Sequence, residues 1–133
     1  MTIKIKYSHG DINETYNSFE EIQQLPNYND IVYIDCGDNK LTELPPNLPQ
    51  SLQELYCFSN KLTALPPNLP QSLLELDCSY NDIVELPPNL PPSLRLLDSD
   101  NNKLVELPPN LPQSLLELYC YNNKLTALPA NLH

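Results

Sequence analysis

A 21-residue unit recurs along this chain and limits what it can fold into. Leu44 to Ala64 reads LPPNLPQSLQELYCFSNKLTA, and Leu65–Glu85, Leu86–Glu106 and Leu107–Ala127 repeat it with few changes. A unit this short cannot bury its own apolar face, so neighbours must stack in a row and share stability along the array. Equivalent side chains then line up as stripes running the length of the coil.

Aligned on Asn39, Asn60, Asn81, Asn102 and Asn123, the units share the frame L-x-x-L-x-C-x-x-N-x-L-x-x-L-P. The second supplies Leu52, Leu55, Cys57, Asn60, Leu62 and Leu65; the first fits with Ile31, Ile34, Cys36, Asn39, Leu41 and Leu44. In Glu54-Leu55-Tyr56-Cys57-Phe58, strand alternation sends Leu55 and Cys57 inward and the other three outward. Stacked units predict a parallel sheet. Each asparagine falls where the strand ends, and its amide is expected to bond neighbouring backbone groups as a structural ladder.

The return limb, Leu-Pro-Pro-Asn-Leu-Pro, opposes an α-helix. Proline fixes φ near −65°, donates no hydrogen bond and pushes the residue before it toward extended backbone. An extended or 3₁₀ path is therefore expected on the far side of the sheet, with the prolines as scaffold and not as a ligand for aromatic-grooved domains.

The asparagine-centred frame resembles the leucine-rich-repeat family, whose signature is L-x-x-L-x-L-x-x-N-x-L. The resemblance spans five units, about residues 25 to 133, and departs from the pattern where cysteine replaces the third leucine. The LP(P)xLPxSL segment is further similar to the short repeats of bacterial secreted effectors, and to proline-rich repeats of giant-virus and protist proteins. The implied fold is an α/β-type solenoid, a horseshoe with a parallel sheet on its concave face and an extended or 3₁₀ convex side. The implied activity is binding of a protein partner on that face. Some of the effectors resembled carry a separate ubiquitin-ligase domain; residues 1 to 133 show no counterpart, and that activity is not carried over.

Residues 1 to 24 do not fit the repeat. Ile3, Ile5 and Tyr7 alternate with polar residues and predict a strand. Ser18-Phe19-Glu20-Glu21 is a capping box, and with Phe19, Ile22 and Leu25 on one face it predicts a short helix over about 18 to 25. The expected organisation is an N-terminal cap over 1–24 and an array over 25–133, with five rungs and a partial sixth. At the far end Leu115, Leu118, Cys120 and Leu125 are expected to be only partly covered. The strand Glu117 to Tyr121 would present an unpaired edge, so a homodimer through that end is an expectation to test. His9 and His133 have no inferable partner and receive no role.

Cys36, Cys57, Cys78 and Cys120 occupy one repeat position, with Ser99 in the fifth place. A column is a line, whereas a metal centre needs ligands converging on a point. Reduced core thiols fit best, ahead of a disulfide or a metal, and suit the cytoplasm, or a host's cytoplasm for an effector or viral protein. The first ten residues contain no apolar signal-like core, and no stretch is apolar and long enough to span a bilayer. The net charge of −10 opposes binding to nucleic acid or to an anionic membrane.

Three outward columns remain for function. They read Tyr33, Glu54, Glu75, Leu96, Glu117; then Asp35, Tyr56, Asp77, Asp98, Tyr119; then Gly37, Phe58, Ser79, Asp100, Tyr121. Aromatic side chains favour interfaces. Stacked carboxylates repel, and a basic partner would relieve that repulsion, with Tyr56 and Tyr119 adding cation–π contacts. The expected partner surface is therefore Tyr33, Asp35, Glu54, Tyr56, Phe58, Glu75, Asp77, Asp98, Asp100, Glu117, Tyr119 and Tyr121, without a cofactor, a metal or catalysis. A glycosidase-like carboxylate pair was weighed and lacks a cleft. A calcium site lacks a wrapping loop, and no phosphate loop or Ser-His-Asp set is present. A structural or self-assembling module is the alternative. Lys40, Lys61, Lys103 and Lys124, with Glu43, Glu85 and Glu106 three residues on, read as a solvated, ion-paired flank.

Overall fold

The computed structural model describes residues 1–127. Seven strands form one sheet: β1 (Ile3–Lys6), β2 (Glu14–Tyr16), β3 (Tyr33–Asp35), β4 (Glu54–Tyr56), β5 (Glu75–Asp77), β6 (Leu96–Asp98) and β7 (Glu117–Tyr119). Their order is β2-β1-β3-β4-β5-β6-β7. From β3 to β7 pairing is parallel and in register with the repeat: Glu54 lies opposite Glu75, and Glu75 opposite Leu96. The solenoid inferred from the repeat is therefore the fold, with a parallel sheet on the concave side.

The inward stripe forms one continuous core. Leu52, Leu55, Cys57 and Leu62 are fully buried, as are Leu73, Leu76, Cys78 and Ile83 one rung on. Each rung therefore meets its neighbour with the same apolar set, and burial at about 25 cal/mol per Å² accumulates along the array. Among the described residues the proline limbs contain no α-helix, and the shortened first one takes a 3₁₀ turn over Tyr28–Asp30, in line with the extended or 3₁₀ path expected. Each closes on a tight turn in which a leucine N–H donates to the proline carbonyl three residues back, as from Leu52 to Pro49 and from Leu73 to Pro70.

The repeat strands, β3 to β7, are three residues long, shorter than the five anticipated. Backbone pairing continues past them (Ser59 N–H donates to the Ser79 carbonyl at 2.9 Å), but Ser59, Tyr80, Asn101 and Asn122 take positive φ of 52° to 57° and turn the chain out of the sheet. The third outward column thus sits at the strand exit. Ser79, placed outward from the sequence, is buried there, because its N–H and hydroxyl both donate to the Asp77 carboxylate.

The N-terminal residues extend the sheet. β1 pairs antiparallel with β3, placing Ile5 beside Ile34, and β2 pairs with β1. The sequence pattern signalled β1 but not β2, whose Glu-Thr-Tyr has little exposed-versus-buried contrast. The helix α1 (Phe19–Gln23) is shorter than the 18 to 25 expected. Its cap forms, with the reciprocal bond moved by one residue: Ser18 Oγ accepts from Glu21 N–H, while the Glu21 carboxylate accepts from Asn17 N–H, just before the cap. Ile22 is its buried anchor.

Candidate functional site

The strand exits carry the ladder foreseen for the asparagines. Asn81 Nδ2 donates to the carbonyls of Cys57, Cys78 and Ser79 at 3.0 to 3.1 Å, and its Oδ1 accepts from Leu62 N–H at 3.0 Å. Asn60 and Asn102 repeat the pattern. Every shared carbonyl serves two rungs: the Cys57 oxygen accepts from Asn60 and Asn81, and the Cys78 oxygen from Asn81 and Asn102. At the first rung the backbone of Thr2 takes the missing neighbour's place, donating to Asn39 Oδ1 and accepting from its Nδ2.

Because the ladder uses the cysteine's main-chain carbonyl, its side chain can vary. Ser99 fits the column by donating its hydroxyl to the Tyr119 carbonyl at 3.0 Å. The four cysteines are free thiols. Burial pushes the Cys36 thiol up to about 12, so it is protonated and unreactive at neutral pH. Among the described residues no cluster of His, Cys, Asp and Glu is arranged to hold a metal ion. None of the helices there is long and apolar enough to cross a membrane.

A second ladder at the strand entry was missed. Ser72 Oγ lies 2.9 Å from the Gln50 carbonyl and 2.6 Å from that of Leu52, and Ser93 and Ser114 repeat the contact with the rung before each. The signal was present, since Ser51, Ser72, Ser93 and Ser114 recur every 21 residues.

Between these ladders lies the outward face. Tyr33, Glu54, Glu75, Leu96 and Glu117 stand in one register column, and Asp35, Tyr56, Asp77, Asp98 and Tyr119 in the next. The aspartates have a structural duty as well: one oxygen of Asp35, Asp77 and Asp98 accepts the N–H two residues on. Phe58 lies against Gly37, where a Cβ would come within 2.5 Å of the ring. Glycine there makes room for the aromatic. Asp100 accepts from Tyr121 N–H, which leaves the Tyr121 side chain exposed together with Tyr119.

Charge on this face is concentrated and coupled. The Tyr56 hydroxyl lies 3.0 Å from Glu54 Oε1 and 3.0 Å from Glu75 Oε2. One phenol proton cannot fully serve two carboxylates, so the pair is relieved when a proton is shared between them. Accordingly Glu75 is raised above its ordinary range, first by its hydrogen bond with Glu54 and then by burial. Burial also raises Asp98, against the Asp100 N–H that stabilises its charge. Tyr56 is pushed up by burial and by both glutamates. Tyr33 packs at 5.6 Å from Tyr56 and carries Lys6 Nζ 4.6 Å above its ring, so this chain already fills that cation–π position.

Three sequence expectations change here. His9, left without a partner, is bound: its Nδ1 is 2.7 Å from Glu54 Oε2 and its Nε2 is 2.7 Å from Gln53 Oε1. The antiparallel placement of β1 carries the following loop to the entry end of the sheet, a tertiary effect with no local signature. The lysine flank is not paired with the glutamates three residues on; among the described residues its one ion pair joins Lys103 to Asp82 at 3.3 Å. Both of those side chains are about half exposed, so water competes with the pair. At the last described rung Leu115 is buried, contrary to expectation, while Leu118, Cys120 and Leu125 are half-covered. The partial sixth unit, with His133, lies outside the described residues.

The leucine-rich-repeat family model matches residues 51–73. Among solved structures, YopM from Yersinia enterocolitica WA-314 is similar with a TM-score of 0.64 and 35% identity, over 73% of this chain and 26% of that one. A Shigella effector leucine-rich-repeat domain is similar with a TM-score of 0.55 and 29% identity, over 84% of this chain and 66% of that one. The chain thus spans about a quarter of the first and 66% of the second. No curated protein sequence matches it. The fold and these neighbours support a protein-interaction module. The chain is a leucine-rich-repeat protein, with repeats similar to those of a bacterial effector.

Proposed function

We propose that the chain is a non-catalytic module that binds a basic segment of a protein partner on its concave sheet. The observation that carries this reading is the stacking of carboxylates in register, Glu54 on Glu75 and Asp77 on Asp98, with Glu75 and Asp98 both held toward protonation. A ligand that brings Lys or Arg gains by relieving that repulsion. The exposed rings of Tyr119 and Tyr121 supply apolar and cation–π contact beside the acids. The free thiols suit a reducing cytoplasm.

The test is titration with a lysine-rich peptide at low and moderate salt, on the wild type and on Asp77→Asn with Asp98→Asn. Asparagine keeps the oxygen that accepts the Ser79 and Asp100 N–H groups, so the fold survives while two charges go. Affinity should fall about fivefold, the scale of two exposed charge pairs. Binding indifferent both to salt and to this double change would sink the reading. Self-association through the last rung is a second reading, favoured by half-covered Leu118 where its equivalent Leu97 is fully buried. Light scattering on the same samples distinguishes it.

A further inference from the structure

The loop between β1 and β2 reaches across β3 to place His9 on β4. Its ring touches two neighbouring residues of the sheet's entry edge at once, Gln53 and Glu54. Tyr7 anchors the start of the loop, packing on the core and donating to Asn27 Oδ1 at 2.9 Å, but beyond it little besides His9 holds the segment: the Asp11 N–H closes a turn on the Ser8 carbonyl, and Ile12 is 91% exposed. Beside the imidazole opens a cavity of about 380 Å³ lined by Glu54, Glu75 and Glu117, with Leu74, Leu96 and Leu116 as apolar wall. Arg95 and His9 line it as well. Three carboxylates against one arginine leave room for a further cationic head, and the leucines suit an aliphatic stem, as a lysine or arginine side chain requires. His9 meets Glu54 within that lining.

We propose that the β1–β2 loop is an internal occupant of the acidic end of the concave face, with His9 on the carboxylate that a partner's cationic side chain takes. This inference rests on the basic-segment reading above and adds a subsite and a competitor to it. Binding then requires the loop to swing away. Glu54 exchanges one basic group for another, so the loop weakens the complex while giving Glu54 a second partner beside Tyr56 on the empty face. Gln53 gives the ring its second contact and fixes its direction.

The full chain is titrated at neutral pH with octalysine as probe, comparing wild type with His9→Ala. Amide hydrogen exchange is followed over residues 8–13. His9→Ala should bind about threefold more tightly, the scale of one displaced polar contact. Its loop amides should exchange faster than those of wild type, and octalysine should accelerate the same amides in wild type. Equal or weaker binding by His9→Ala overturns the competition. Loop exchange that is the same in both proteins overturns the clip, while salt-dependent binding weakened by Asp77→Asn with Asp98→Asn leaves the broader reading standing. If neither protein binds octalysine, the basic-segment reading fails and this inference fails with it.

Discussion

The asparagine ladder and the outward sheet face lie four to six residues apart in every unit, yet they obey different rules. Along the ladder the residue is the same in all five rungs, is buried in the central three, and uses both ends of its amide between rungs. Along the face the residue changes from rung to rung: Tyr, Glu, Glu, Leu, Glu in one column and Asp, Tyr, Asp, Asp, Tyr in the next. A position with a between-rung hydrogen bond to make admits few solutions, because a buried unpaired group costs about 1–3 kcal/mol. A position facing outward from a stacked sheet is left to vary. Repetition within one chain therefore separates what holds the coil from what is available to a partner.

The sharpest way to break that contrast is Asn81→Ala. It strips donors from three carbonyls and leaves the buried Leu62 N–H without its acceptor. A loss of about 3 kcal/mol is expected in urea unfolding, since several bonds fail together in one network. Asn81→Asp should be worse, because it keeps the acceptor but turns a second oxygen on the same carbonyls. A loss below about 1 kcal/mol for Asn81→Ala would mean that the inward leucines alone hold the rungs and that the two regions differ less than their geometry implies.

Ser93→Ala asks whether the contrast extends to the other end of the strand. Its hydroxyl lies 2.7 Å from the Gln71 carbonyl and 2.8 Å from that of Leu73. One hydroxyl proton divides between the carbonyls of exposed Gln71 and buried Leu73, so about 1 kcal/mol is expected by the same unfolding measurement. An unchanged midpoint would demote the serines from ladder to filler.

How far the sequence carried follows from the same division. Inward leucines, the exit asparagines and the α-helix-free proline limbs all repeat, and periodic positions have periodic causes; these were legible at once. Ser93 repeats too and was legible, but its serine was passed over because serine is common in turns. The strand length was not legible, since positive φ at Ser59 and Tyr80 is a backbone property that neither residue type announces. The N-terminal residues were read by local pattern alone, which located β1 and the Ser18 cap. It could not say that an antiparallel β1 would deliver His9 to Glu54, because that contact joins residues 45 apart in sequence through a strand between them. On the candidate surface, residue identity and column were readable from the period. The Tyr56 bridge between Glu54 and Glu75 depended on a side chain leaning from one column into the next.

Glu75→Gln probes the face side of the comparison, and its effect should be the smallest and opposite in sign. The folded-state affinity of Glu75 for its proton is raised above the ordinary carboxyl value of 4.5. A group so raised contributes stability that is fully present below its unfolded value and is lost as pH rises through its folded value. The wild type should therefore become less stable as pH climbs from about 4.5 toward neutrality, so far as this site decides, while Glu75→Gln removes that slope and is slightly the more stable at pH 7. The side chain is half-buried, so water screens the interaction only in part and the difference stays modest. Thermal midpoints at pH 4.5, 6 and 7 in low salt would resolve it. A variant that is less stable than wild type at pH 7 would show that the glutamate pair and Tyr56 hold the sheet together, and the glutamate column, like the aspartates beside it, would carry a structural duty.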